Sequence, residues 1–475
     1  MNDILLRYWP LVGGFLLFLA DVWATLHVIL FKRDHRSALG WIGLIWLVPI
    51  AGTLLYISFG INRIQRKARR LRRHKHSITF NSLSNDDGGS SSEGLTALRR
   101  LIGRVTGRQM VPGNRILPLN NGELAYGKML QAIASAKSTI GMSTYIFDND
   151  HVGRKFSAAL GEAVQRGVAV RVLIDDIGSR YSYPTIFRHL RSAGVAVATF
   201  LPTLIPWRFA YAQLRNHRKI LVIDGSVGFT GGMNIRDGHD NSKNLRRSIN
   251  DFHFQIHGPV VRELRAVFAD DWQFATGERL SGPDWFPNLK SSGCCDARGI
   301  VSGPDDEVET LRMTYLGAIT CARKSIRIVT PYFLPETELL SALSVAALRG
   351  VQVDILVPEH NNLLLVHWAM MEQLGQVLKH GCRVWLTPRP FEHSKLFLVD
   401  SEWCLFGSAN WDSRSLRLNF EFNVECYEVN LLDELTNVID RKISQSRRLS
   451  EKDLEQRSHL TKIRDGIARL AIPYL

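Results

Sequence analysis

Apolar positions are massed at the start of the chain and then break into short periodic runs. Two runs, 8–30 and 38–60, are each 23 residues long and almost wholly apolar. As helices each would span about 35 Å, against a bilayer hydrocarbon core of about 30 Å. Asp21, Gly13 and Gly14 interrupt the first run and Pro49 the second, all tolerable in membrane helices. The pattern predicts a two-helix transmembrane hairpin; two buried helices of a soluble core are the alternative. A cleaved signal peptide fits poorly, because the first run is too long and a second follows at once. Asp21 is read as facing the partner helix or a polar cavity, with an intramembrane functional acid as the sharper alternative.

From about residue 110 the pattern repeats itself. Lys137, Ser138 and an apolar run to Tyr145 are echoed by Lys324, Ser325 and a run to Tyr332. The stretch 166–174 (RGVAVRVLI) is echoed by 349–357 (RGVQVDILV). Helical stretches 156–165 and 339–348 precede these, each stopped by a glycine before a β-branched strand. Strand–helix–strand written twice predicts an α/β fold. Two similar lobes, 110–285 and 286–475, would carry mixed or parallel sheets flanked by helices about a pseudo-two-fold axis. Residues 77–109 read as a polar linker, centred on NSLSNDDGGSSSEG at 81–94, and 1–76 as the hairpin with a basic segment.

Charge adds a partner and an orientation. The formal net charge of +14 calls for an anionic partner, nucleic acid or an acidic membrane surface. Three basic residues, Lys32, Arg33 and Arg36, lie between the apolar runs. Eight follow the second run: Arg63, Arg66, Lys67, Arg69, Arg70, Arg72, Arg73 and Lys75. The positive-inside rule then puts the body on the cytoplasmic side of a multi-pass protein. Each such cation near anionic headgroups contributes about 1 kcal/mol, so the cluster favours anionic phospholipids at the membrane. The 45% apolar content excludes a disordered scaffold, and the six cysteines show no disulfide or zinc pattern. The segment 463–475 mixes basic and apolar residues, as an interfacial helix or a terminal packing helix would.

The chemistry sits in a duplicated motif. His217-Arg-Lys219 leads to Asp224 and then Gly231-Gly-Met-Asn234; His393-Ser-Lys395 leads to Asp400 and then Gly407-Ser408-Ala-Asn410. In both copies the glycine follows the histidine by 14 residues and the asparagine by 17. One His-x-Lys-x₄-Asp is a weak signal; two with identical offsets at the same place of a repeat are not chance. On a strand, residues i and i+2 share a face, so each histidine and lysine would point into one space. Two lysines and the amides of Asn234 and Asn410 are donors suited to the charge of a phosphodiester in its transition state. One imidazole can attack phosphorus while the other serves as acid, then base. Asp251, 34 residues after His217, and Glu421, 28 after His393, are candidate acceptors to orient the rings. No metal or other cofactor is required by this set. The stretch 122–128 (GELAYGK) imitates a phosphate-binding loop, but Met129 stands where Ser or Thr is needed.

These residues resemble the phospholipase D superfamily, whose signature is a duplicated HxKxxxxD followed by GSxN. The second copy matches fully; the first has Gly232 where serine is usual, which leaves only a hydroxyl contribution open on that side. Within the superfamily the chain is similar to the bacterial cardiolipin synthase family, which has two N-terminal membrane helices, a basic stretch and paired lobes. Runs 37–41 (SALGW), 214–219 (LRNHRK), 330–333 (TPYF) and 410–416 (NWDSRSL) agree. The resemblance implies transfer of a phosphatidyl group from one phosphatidylglycerol to another at the bacterial inner membrane, through a phosphohistidine and with release of glycerol. It also implies His217 as nucleophile and His393 as acid and base, an assignment the repeat symmetry does not make.

Rival readings keep the scaffold and change the acceptor: a phospholipase D using water, a phosphatidylserine synthase, or a nuclease. The apolar runs and their basic collar speak against nucleic acid, as does the lack of interleaved basic and aromatic residues. A non-enzymatic membrane scaffold is the remaining alternative, disfavoured by four intact histidines and lysines. Oligomeric state is left open.

Overall fold

The computed structural model describes residues 2–32, 35–60, 93–202, 214–240, 248–304, 307–470 and 472. The basic cluster expected at 63–75 and most of the expected linker lie outside these residues. The chain forms two compact units, Met1–Arg70 and Leu71–Leu475.

In the first unit a helix runs over Asn2–Phe31. Its Val12–Phe31 portion is, among the described residues, the one helix long and apolar enough to cross a membrane. The second apolar run is not the continuous helix predicted. It forms a helix over His35–Leu47, a break, a short helix over Ala51–Leu55 and a π-turn over Tyr56–Gly60. Pro49 has no N–H to give and disfavours helical backbone at Val48, and Ile50 takes φ 71°. Asp21 is buried and accepts the Thr53 hydroxyl, and His27 Nδ1 lies 2.7 Å from the Tyr56 hydroxyl. The acid therefore faces the second apolar segment.

In the second unit the repeat is built as written. The first lobe orders its strands as Ala196–Phe200, Ala169–Asp175, Thr139–Thr144, Ile220–Ile223, Val227–Gly231, Phe252–His257 and Val111–Asn120. The second lobe matches it strand for strand with Arg383–Thr387, Gln352–Pro358, Ser325–Val329, Leu396–Val399, Trp403–Gly407, Asn419–Tyr427 and Cys295–Ser302. Three parallel strands and then antiparallel neighbours appear in each. The last strands of the two sets, Val111–Asn120 and Cys295–Ser302, pair antiparallel and fuse both lobes into one mixed sheet, which Arg447–Leu449 beside Arg383–Thr387 and Arg215–Asn216 beside Asn419–Tyr427 bring to 16 strands among the described residues. The lobes also share a core: the rings of Phe254 and Phe406 stack at 3.7 Å, within a cluster drawn from both halves.

One expectation fails in the supposed linker. Glu93–Thr106 is a helix whose Leu95, Leu98 and Ile102 are buried against Leu311, Tyr315 and Ala318. It precedes the first lobe in sequence but packs on the second, where Arg99 pairs with Asp296 at 2.5 Å. Its apolar spacing of three and four outweighs the polar composition just before it. The stretch 122–128 opens the helix Gly122–Ser135, and a Cβ at Gly122 would sit 2.3 Å from the His239 carbonyl oxygen. That glycine serves close packing. The C-terminal helix His459–Leu470 buries Asp465, paired with Arg457 and Arg464, and leaves Leu460, Ile463, Ile467 and Leu470 exposed.

Candidate active site

Each histidine–lysine pair lies on the irregular entry to a strand: His217 and Lys219 before Ile220–Ile223, His393 and Lys395 before Leu396–Val399. They sit just ahead of the strands, not on them as alternation predicted. The opposite lobe holds these entries. Arg215–Asn216 pairs in parallel with residues 419–420, and His217 N donates to Phe420 O at 3.0 Å. Phe391–Glu392 pairs in parallel with Ile249–Asn250, and His393 N donates to Asn250 O at 2.7 Å.

The next residue along each clasp is a carboxylate. His217 Nδ1–H donates to Glu421, with both oxygens at 3.0 Å, and His393 Nδ1–H donates to Asp251 at 2.7 Å. Sequence order suggested the reverse, each histidine with the acid downstream in its own lobe. The partners are exchanged because the inter-lobe clasp, not chain proximity, delivers them. Ser408 donates to Glu421 at 2.5 Å and Asn419 Nδ2 to it at 3.1 Å, so the serine of the second motif holds the carboxylate. In the first motif a Cβ at Gly232 would lie 2.2 Å from Asp251 Oδ1. The glycine is what lets Asp251 take that place.

Lys219 and Lys395 are buried beside their histidines. Lys219 Nζ donates to His217 O at 2.6 Å, and Lys395 Nζ donates to His393 O. Asn234 and Asn410 are buried nearby, but their amides are partly committed: Asn234 Oδ1 accepts from Ile146 N at 3.1 Å and Asn410 Nδ2 donates to Asp412 at 3.2 Å. The structure does not bring Asp224 and Asp400 to this group. Asp224 accepts from the backbone N–H of Lys137, Ser138 and Thr139, and Asp400 from those of Arg323, Lys324 and Ser325. Each closes a turn at φ 47° or 55° and ties it to the start of the neighbouring strand.

Residues not singled out as site candidates complete the walls. Tyr145 stands edge-on to His217 at 5.3 Å and Tyr332 to His393 at 6.4 Å. Both occupy the same place in the repeat, a signal the sequence did carry. His239 lies 6.1 Å from the His393 ring, and nothing in the motif pointed to it.

The electrostatics follow from burial. Burial, against the pull of Glu421 and with the push of Lys219 and Lys395, lowers the pKa of His217. Burial, Lys395 and Lys219 drive that of His393 well down. Both rings are therefore neutral near pH 7, and with Nδ1 protonated each keeps a lone pair on Nε2. Burial lowers Lys219 to about 7, offset in part by Glu421 and deepened by Lys395. Burial alone would raise Glu421, but His217, Lys219 and Ser408 outweigh it and hold the group lowered. Asp251 is raised by burial, with Lys395 and His239 acting against that.

Comparison with known proteins agrees in extent. The family described as "Cardiolipin synthase, PLD-like domain" matches residues 129–272 and 315–443, and "Phospholipase_D-nuclease N-terminal" matches 19–60. The chain is 31% identical to a cardiolipin synthase of Geobacillus kaustophilus, over 96% of this chain and 92% of that one. It is 30% identical to the major cardiolipin synthase ClsA of Bacillus subtilis, over 94% and 96%. The solved phosphatidylserine synthase of Haemophilus influenzae covers 80% of this chain and 100% of its own, with a TM-score of 0.63 at 14% identity, which marks a common fold. With the duplicated motif, the doubled sheet and relatives matched over nearly their whole length, the chain belongs to the cardiolipin synthase family of phospholipase D-like proteins.

Proposed function

We propose that the chain joins two phosphatidylglycerol molecules into cardiolipin with release of glycerol. His217 Nε2 attacks the phosphorus of the first lipid, the bond to the glycerol oxygen breaks, and His393 gives that oxygen a proton. An incoming anionic phosphodiester favours the charged form of His393, which takes its proton from solvent as the lipid binds. His393 then takes the proton of the second lipid's terminal hydroxyl, whose oxygen displaces His217 from phosphorus. Lys219, Lys395 and the asparagine amides stabilise the developing oxyanions. Two imidazoles, each held at Nδ1 by a carboxylate from the other lobe and so left with Nε2 for the reaction, are the observation that carries this reading.

The split of roles is supported by the carboxylates. Glu421 is held as an anion by Ser408 and Asn419, which favours the charge that His217 develops when it bonds to phosphorus. Anchoring rests on Val12–Phe31. A second pass through the broken run after residue 35, with the body on the cytoplasmic side of the inner membrane, belongs to the same proposal.

The test gives the reconstituted protein phosphatidylglycerol alone and separates the products. Cardiolipin with an equal amount of glycerol is expected; phosphatidic acid as the main product would sink the synthase reading. With labelled lipid, His217→Ala is expected to form no covalent adduct. Adduct in that variant but not in His393→Ala would reverse the roles.

A further inference from the structure

The two halves of the site differ chemically just beyond the motif asparagines. The backbone N–H of Asn410 donates to Ser415 Oγ at 3.1 Å; the backbone N–H of Asn234 donates at 3.4 Å to His239 Nε2. The same backbone group thus finds a hydroxyl in one lobe and an imidazole in the other, each five residues on. Two residues after the asparagine stands Arg236 in the first lobe and Asp412 in the second. A cation and a ring replace an acid and a hydroxyl on one side only.

Both residues are firmly placed. Tyr126 donates its hydroxyl proton to Asn234 O at 2.5 Å, or to Arg236 O at 3.1 Å. Asp237, between Arg236 and His239, accepts from Val152 N at 2.7 Å and donates its own N–H to Asp150 at 2.6 Å. His239 is 1% exposed. Because its Nε2 accepts, its proton is on Nδ1, and that buried Nδ1 has no hydrogen-bond partner among the described residues. A buried donor left without an acceptor calls for one to arrive. Arg236 keeps 30% of its side chain exposed; Asp148 holds its Nε at 3.1 Å and the Tyr181 ring underlies it at 5.9 Å. The His239 ring is 6.1 Å from that of His393. Burial and the neighbouring cations keep His239 near 3, so it donates as a neutral ring at any working pH.

We propose that Arg236 and His239 form a subsite for the acceptor alcohol, selecting one that carries its own phosphodiester. Nδ1–H of His239 receives the acceptor's second glycerol hydroxyl, beside the hydroxyl that His393 deprotonates, and the Arg236 guanidinium receives the acceptor's phosphodiester. The proposal rests on the phosphatidylglycerol reading and deepens it. The reason is charge: the phosphatidyl-enzyme already holds one anion at the two lysines, and the second lipid brings another. A cation at the acceptor's phosphate removes a repulsion that water, ethanol or serine never meets.

The experiment supplies the full chain, reconstituted in phosphatidylglycerol vesicles, with ethanol and measures cardiolipin against phosphatidylethanol from the same phosphatidyl-enzyme. This ratio does not depend on how much of a variant folds. Arg236→Gln is expected to lower it about tenfold or more, and Arg236→Lys, which keeps the charge, to restore most of it. His239→Phe keeps the ring, loses the donor, and is expected to lower the ratio several-fold. A ratio unchanged in Arg236→Gln and His239→Phe overturns the subsite. If the unaltered protein makes no cardiolipin from phosphatidylglycerol, the functional reading fails instead.

Discussion

The carboxylates of Asp224 and Asp400 each gather three backbone N–H groups at a hairpin turn, while the histidines and lysines upstream face the shared site. One motif therefore carries two tasks, and its aspartate serves the turn. Asp224→Ala leaves those donors without their acceptor and is expected to cost about 1–3 kcal/mol. Thermal unfolding checks the loss, and turnover per covalently labelled site should stay near the unaltered value; a collapse of turnover per labelled site would place Asp224 in the reaction after all. Burial is the largest single influence on its pKa and raises it, but the bonds from Ser138, Thr139 and Lys137 together win and leave it lowered. Its stabilisation is thus present above the ordinary carboxylate range and is lost as pH falls through the depressed value. That each histidine stands beside its lysine, with its asparagine buried nearby, was legible from spacing alone. The exchange of Glu421 and Asp251 was not, because nothing local reveals that residues 215–216 pair with 419–420.

Among the elements, those with a strong local rule were legible. The strands after Gly167 and Gly350 are β-branched runs behind a glycine at φ 88° or 93°, which ends the preceding helix cleanly. The helix Glu93–Thr106 was missed because a polar stretch up to residue 94 masks its apolar face at Leu95, Leu98 and Ile102. The break at Pro49 went the other way: composition favoured one long helix and a single missing N–H divided it. The Glu93–Thr106 helix bolts the segment ahead of the first lobe onto the second, so its packing is felt well beyond its own residues. Leu98 is fully buried, and Leu98→Ala is expected to destabilise the body by about 2–5 kcal/mol. Denaturant unfolding monitored by tryptophan fluorescence measures it. A loss below about 1 kcal/mol would mean the helix is not part of the core, since that is less than buried leucine truncations cost.

At the scale of the whole molecule, duplication places two cations of like charge in one buried site, and that has a readable consequence. Lys219 lies low, at about 7, because burial disfavours its charge and Lys395 adds repulsion from across the lobe boundary, while Glu421 pulls the other way. Lys395 is lowered likewise, by burial first. As pH rises through about 7 the free enzyme therefore loses a charge needed to bind and stabilise the phosphodiester, and kcat/KM should fall on that alkaline limb. The acid side is set by His217, which must be neutral to attack: its pKa is lowered, so its Nε2 lone pair persists below the usual histidine range and the acid limb begins later than an exposed histidine would give. Lys395→Met removes the repulsion, so Lys219 holds its proton to higher pH and the alkaline limb moves upward even as the rate drops. Glu421→Gln removes the attraction and should move the same limb downward. A pH profile of kcat/KM for the three proteins decides it. Limbs that stay fixed, or that move in the same direction in both variants, would mean the two lysines do not share one field and that the lobes act as separate half-sites.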